Sequence, residues 1–113
     1  MSFFTEMLTK EQYEAAQPVI RQAIPLLEKA STSDKFLLAL SILDYVDSGS
    51  RRDYPMDFAI SYQDGDGLLG EGLAAFLNSI ASRSPQVLLA LAAAITVYLI
   101  HEVPSGLPTR VSA

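Results

Sequence analysis

The longest hydrophobic segment of the chain covers residues 87–100, where Thr96 is the one polar position. A helix that is apolar on all sides is typically buried at the centre of a domain. Ser84 and Pro85 come just before the segment. They favour a helix start, because serine caps a first turn and proline fits its first position. We therefore predict a central helix over residues 85–103, around which the rest of the chain packs.

Apolar positions at helical spacing predict a second helix over residues 10–30. Thr9 and Gln12 have the spacing of a capping box at its start. Pro18 and Pro25 are unfavourable inside a helix, but helical geometry places them about 20° apart on the side opposite the apolar stripe. We predict one curved or kinked helix, and two helices that break near Pro18 are the alternative.

Start signals and apolar periodicity predict two further helices. The helix over residues 34–47 has Ser33 or Thr32 as its cap, and the helix over residues 67–82 has Asp66. Small residues form one row on the later helix and a matching row on the central helix, which predicts a close contact between the two. The rows are Gly70, Ala74 and Ala81 on one helix and Ala90, Ala94 and Val97 on the other.

The least regular part of the chain is residues 50–66. Hydrophobic residues alternate there with polar or small ones, as in a strand, at Met56, Phe58, Ile60 and Tyr62. Asp53 ahead of Pro55 instead predicts a capped short helix. Because a single strand in a helical chain would have no partner, we favour the short helix, over residues 55–63.

These elements predict an all-α, single-domain bundle with four main helices, at about residues 10–30, 34–47, 67–82 and 85–103, plus the short irregular or helical segment at 55–63. A chain of 113 residues has the size of one domain and can bury a core of its own. We assign residues 1–103 to this domain. For residues 104–113, which have no periodicity, we predict an extended or frayed C-terminal tail.

Charge is concentrated in the middle of the chain. The stretch from Asp44 to Glu71 contains seven acidic residues and two arginines, so it alone accounts for the formal net charge of −5. A clustered field of one sign favours a partner of the opposite sign. It also argues against nucleic-acid binding, which requires a basic surface. The more conservative interpretation is that loops and helix caps simply favour aspartate.

The sequence contains no recognisable catalytic or cofactor-binding motif. It has no cysteine, which excludes disulfides and thiolate chemistry. Asp64, Asp66 and Glu71 resemble a calcium loop at three positions only, and a turn with a helix cap explains them, so we predict no metal and no cofactor. The single histidine, His101, suits the C-terminal turn of the central helix, where the helix dipole favours its positive charge. We therefore predict no catalytic residue.

The central apolar segment is shorter than the roughly 20 residues of a membrane-spanning helix, and we predict that it is buried in the core instead. Met1–Glu6 has neither the positive start nor the long apolar run of a signal peptide. We therefore expect a cytoplasmic protein without a membrane span.

The irregular stretch also contains arginine and tyrosine, the residue types that most often anchor protein interfaces. We predict a partner-binding set of Arg51, Arg52, Asp53, Tyr54, Asp57, Tyr62, Asp64 and Asp66. The predicted function is a small acidic protein-binding module that binds a basic protein partner through residues 44–71. Immunity proteins, antitoxins and adaptors are of this general kind, although no motif here identifies any of those families.

Two other classes of function remain open. One is a structural homo-oligomer built on the helix over residues 85–103, which would require an exposed apolar face on that helix. The other is a small carboxylate-dependent enzyme, which would require a cleft on which Asp57, Asp64 and His101 converge.

Overall fold

A computed structural model describes residues 8–48, 54–65 and 67–103, and throughout these ranges the regular structure is helical. The predicted all-α bundle is therefore confirmed, whereas the predicted tail over residues 104–113 lies outside the described residues. The helices are α1 (Lys10–Lys29), α2 (Thr32–Asp47), α3 (Met56–Gln63), α4 (Glu71–Ile80) and α5 (Pro85–Glu102).

Helix α5 lies at the centre of the domain, as its hydrophobicity predicts. It packs mainly against α2 and, on another side, against α1, while α3 packs on α2 and α4 packs on α3 and α2. Leu88, Leu91 and Ile95 of α5 are at most 1% exposed. The core of the molecule is therefore built around α5.

Helix α1 runs without a break through both of its prolines. Thr9 and Gln12 form the predicted capping box, in which each side chain bonds the backbone N–H of the other residue, at 3.0 and 3.1 Å. Pro18 and Pro25 are both exposed, so the backbone carbonyls that they leave unbonded within the helix lie on its solvent side. The prediction of one helix is confirmed, and the two-helix alternative is wrong.

Helix α2 begins at Thr32, two residues before the predicted start. Its cap is Ser31, whose hydroxyl accepts a hydrogen bond from the backbone N–H of Asp34 at 3.0 Å. Ser31 has an extended backbone, while Thr32 is already helical. The predicted cap at Ser33 or Thr32 is therefore wrong by one or two residues.

Helix α3 confirms the short helix that we favoured over a strand. Met56, Ala59 and Ile60 are its buried residues, at the three- and four-residue spacing of a helical face. Pro55 occupies the N-cap position and makes no side-chain cap bond, and the proposed cap Asp53 lies outside the described residues. The alternation of hydrophobic residues in this segment is therefore not a sign of a strand.

The loop between α3 and α4 explains why α4 is shorter than predicted. Both carboxylate oxygens of Asp64 accept backbone N–H bonds, from Leu68 and Leu69, at 2.8 Å each. Gly67 has a φ of +66°, a left-handed conformation that glycine adopts at little cost. The chain therefore turns here, and α4 begins only at Glu71, with Gly70 at its N-cap. The predicted cap Asp66 lies outside the described residues.

The predicted close contact between the two rows of small residues is wrong. Helix α4 packs on α3 and α2 and has no comparable contact with α5. Because α4 begins after Gly70 and ends before Ala81, only Ala74 of its row lies within the helix. Ala90 and Ala94 of the other row are buried within the domain nevertheless.

A polar cluster joins the C-terminal end of α5 to the start of α2. Lys35 is 4% exposed and donates hydrogen bonds to the Glu102 carboxylate and, at 3.1 Å, to the carbonyl of Ala30. Thr32 donates to the same carboxylate at 2.7 Å, and Tyr98 lies beneath the Lys35 ammonium. Hydrogen bonds from Lys35 and then Thr32 lower the pKa of the Glu102 carboxyl. The positive charge of Lys35 thus compensates the Glu102 carboxylate, whose negative charge the helix dipole disfavours at the C-terminal end of α5.

Candidate partner-binding surface

Helix α3 turns two aromatic side chains toward solvent. Phe58 is 55% exposed and Tyr62 is 77% exposed. They are four residues apart, so they lie on the same side of the helix, opposite its buried residues. Tyr54 precedes them at the same spacing, just before α3 begins. We call Tyr54, Phe58 and Tyr62 the aromatic row.

The first member of the aromatic row is fixed by contacts with α2 and α3. The Tyr54 hydroxyl donates to Asp44 at 2.7 Å, and its ring meets that of Phe58 edge to face, with centroids 6.2 Å apart. Gln63 and Ser48 also donate to the Asp44 carboxylate, at 3.4 and 3.5 Å. Tyr54 and Phe58 are therefore held by contacts within the domain, which would reduce the entropy lost if these two side chains were ordered in an interface.

Exposed acidic side chains lie on α3 and on the two helices that pack against it. Asp57 is exposed on α3 and accepts a hydrogen bond at 2.8 Å from Asn78 of α4. Asp47, at the end of α2, and Glu71, at the start of α4, are also exposed. These three carboxylates can present negative charge to solvent. Asp44 and Asp64 instead bond groups of the domain itself.

Asp64 in particular has a structural role. It is 9% exposed, and both of its oxygens are used by the backbone N–H groups of the loop that follows α3. A substitution at Asp64 would change this loop together with any surface property. The residue that resembled part of a calcium loop thus closes a turn through hydrogen bonds.

The structure brings only part of the predicted partner-binding set together. Tyr54, Asp57 and Tyr62 lie on α3 or next to it, and Asp64 is at its C-cap. The other members of the set, Arg51, Arg52, Asp53 and Asp66, lie outside the described residues.

Sequence reasoning missed Phe58 as a surface residue. The sequence analysis names it only among the alternating hydrophobic residues of this segment, and α3 places it opposite Met56, Ala59 and Ile60. The signal was available in its spacing, because Phe58 is four residues from both Tyr54 and Tyr62. Choosing a helix over a strand for this segment implies that Phe58 and Tyr62 share one side of it.

Two of the residues considered for acid–base chemistry have structural partners, and the third lies on another helix. Asp57 bonds Asn78, Asp64 bonds backbone N–H groups, and His101 is exposed near the end of α5. Within the described residues no three His, Cys, Asp or Glu side chains are grouped as a metal site would require. A shallow cleft of about 200 Å³ lies elsewhere, between α1, α2 and the start of α4, and is lined mainly by Leu26, Lys29, Asp34, Gly70, Gly72 and Leu73.

The chain matches no protein-family model, and it has no significant match among curated proteins or solved structures. Its function therefore has to be inferred from its own surface.

Proposed function

We propose that this chain is a small acidic protein-binding module without catalytic activity, and that it binds a basic protein partner through the aromatic row and the exposed acids of residues 44–71. The observation that carries the proposal is the exposure of Phe58 and Tyr62 on one side of α3, at 55% and 77%, with Phe58 supported by Tyr54, which bonds Asp44. Large, preorganised aromatic side chains are typical anchors of protein interfaces.

The exposed acids of residues 44–71 support a basic partner. Asp47, Asp57 and Glu71 are exposed within a stretch that contains the whole net charge of −5. Lysine and arginine can pair with these carboxylates and stack on the Phe58 and Tyr62 rings, since aromatic faces attract cations. A surface that combines the two features suits side chains that are both cationic and partly apolar.

The proposal is tested by affinity capture from the native cell, followed by mass spectrometry and by binding measurements with the purified partner. Phe58→Ala with Tyr62→Ala should abolish capture of a basic protein. Phe36→Ala is a matched control, because Phe36 is an aromatic residue with 45% exposure on α2, outside the row. The control should retain the partner.

Two outcomes would contradict this function. One is a partner that binds the double variant as tightly as the wild type. The other is a partner without a basic surface, whose binding does not depend on salt concentration. Both variants must melt close to the wild-type temperature, since the replaced side chains are exposed and contribute little to the core.

A further inference from the structure

The outward side of α3 carries a carboxylate as well as two aromatic rings. Asp57, Phe58, Ser61 and Tyr62 are all exposed, and we call these four residues the α3 outer face. At about 100° per residue they cover about 140° of the helix circumference, and the buried residues lie on the other side. Ser61 lies about 40° from Asp57 and about 60° from Phe58. A small serine therefore separates an acidic edge of the face from an aromatic edge.

The acidic edge is tied to a second helix. The side-chain amide of Asn78 on α4 donates to Oδ1 of Asp57 at 2.8 Å and to the carbonyl of Ala74 at 3.1 Å. The two N–H groups of one amide thus link the carboxylate to the backbone of α4. Oδ2 of Asp57 accepts no hydrogen bond from the described residues, so it remains for a ligand.

The aromatic edge presents ring surface to the same space. The Phe58 ring meets the Tyr54 ring edge to face and is still 55% exposed, and Tyr62 is 77% exposed. Aromatic faces attract cations through the ring quadrupole. A side chain that lies across Ser61 would therefore have a negative charge on one side and aromatic rings on the other.

Arginine is the side chain that matches both edges at once. Its flat guanidinium can stack on a ring while the N–H groups at its rim donate to a carboxylate. The ammonium group of lysine is compact and strongly hydrated, so it gains less from an exposed ring. A purely apolar side chain would cover Asp57 without pairing its charge.

We propose that the α3 outer face is an arginine-binding site, at which a protein partner places a guanidinium group over Ser61. The guanidinium donates to Oδ2 of Asp57 and stacks on the ring of Phe58 or Tyr62, and Asn78 is a positioning residue for the carboxylate. This inference rests on the proposed function, which requires only a basic partner, and it names the side chain that the partner presents.

Fluorescence anisotropy at low salt tests the proposal with two labelled peptides of equal length and charge. One alternates arginine with glycine, and the other alternates lysine with glycine. The arginine peptide should bind about threefold more tightly or better.

Two variants locate this preference on the α3 outer face. Asp57→Asn keeps an oxygen for Asn78 but removes the charge, and it should weaken the arginine peptide about threefold. Glu28→Gln is the matched control, because it makes the same change of charge at an exposed position of α1. Phe58→Leu with Tyr62→Leu keeps an apolar surface without rings, and it should leave the two peptides with about equal affinity.

The outcomes separate this inference from the proposed function. Equal affinity of both peptides for the wild type, or an arginine preference that survives in Asp57→Asn and in the leucine variant, overturns the arginine site. No measurable binding of the arginine peptide also overturns it. An arginine preference that depends on these residues, together with partner capture that does not depend on Phe58 and Tyr62, would support the site and contradict the proposed function.

Discussion

Ser41 of α2 places a polar side chain inside the core of this domain. Its side chain is fully buried, and its hydroxyl is the one buried side-chain polar atom in the described residues without a hydrogen-bond partner. Leaving a buried polar group unbonded costs about 1–3 kcal/mol. The residue is therefore tolerated at a cost in stability, and its small volume is the property that the site uses.

Replacement of Ser41 by alanine should stabilise the protein, because it removes the unbonded hydroxyl and keeps the volume almost unchanged. We expect the free energy of unfolding to rise by about 1 kcal/mol, measured by urea denaturation. Ser61→Ala, at an exposed position of α3, measures the gain from helix propensity alone, about 0.5 kcal/mol. A loss of stability in Ser41→Ala would show that its hydroxyl is bonded after all.

At the scale of single residues, the sequence predicts local bonds better than the surroundings of a side chain. The capping box of Thr9 and Gln12 was predictable because both partners lie three residues apart. The role of Asp64 was not, because it depends on the path of the loop as far as Leu69. The exposure of Phe58 was not predicted, because the hydrophobicity of a residue does not show whether its side of a helix is covered by another element.

At the scale of secondary-structure elements, helix α5 shows what the sequence predicts and what it does not. Its position at the centre of the bundle follows from its length and apolar composition. Its exposed side does not, because Leu89, Val97 and Ile100 remain 42%, 43% and 68% exposed although α1 and α2 pack against the helix. A helix apolar on all sides thus indicates burial on all sides only when the domain has enough helices to surround it.

The two sides of α5 should respond differently to the same substitution. Leu91 is fully buried, so Leu91→Ala should lower the free energy of unfolding by about 2–5 kcal/mol. Leu89 is 42% exposed in the same helix, so Leu89→Ala should lower it by less than about 1 kcal/mol. Urea denaturation of both variants, at a concentration where the chain is monomeric, gives the comparison. Equal losses would mean that both positions are covered in the folded chain.

The polar cluster at the end of α5 should make stability depend on pH. Lys35 and Thr32 lower the pKa of Glu102 in the folded state. This carboxylate therefore stabilises the fold above its ordinary pKa of about 4.3, and the effect is lost as pH falls through the lowered value. Glu102→Gln should melt below the wild type at neutral pH, because Lys35 is then buried without its counter-charge.

The difference in melting temperature between wild type and Glu102→Gln should be constant above about pH 5 and should narrow below about pH 4. There the protonated Glu102 of the wild type resembles glutamine. A difference that stays constant across this range would mean that the ion pair adds no pH-dependent stability. Lys35→Met with Glu102→Gln is the control, since it removes the buried charge as well.

For the whole molecule, the distribution of charge was the most informative property of the sequence. It located the imbalance in residues 44–71, and the structure shows which of those acids are exposed. Asp47 and Asp57 are exposed, whereas Asp44 and Asp64 bond groups within the domain. A count of acidic residues therefore overstates the negative charge exposed at the surface. The sequence does not distinguish an acid that caps a turn or helix from an acid that faces solvent.

Charge reversal should act mainly on the rate of association with a basic partner. Asp47→Lys with Asp57→Lys should slow association about tenfold or more at low salt, and should change dissociation by less than about threefold. Glu14→Lys with Glu28→Lys, at exposed positions of α1, makes the same change of net charge away from the row. Stopped-flow measurements over a range of salt concentrations separate the two. If both double substitutions slow association equally, the association rate depends on the net charge of the protein and not on the position of these acids.

The packing of α1 against α5 also matters while the chain is being made. Helix α1 is synthesised first, but its main neighbour in the fold is α5, which begins at Pro85. A ribosome adds about 5–20 residues per second. The apolar side of α1, with Val19, Ala23 and Leu27, therefore stays exposed for several seconds until α5 has been synthesised. Throughout that interval the nascent chain presents a binding site for chaperones, and premature termination before α5 would leave a product that cannot bury its core.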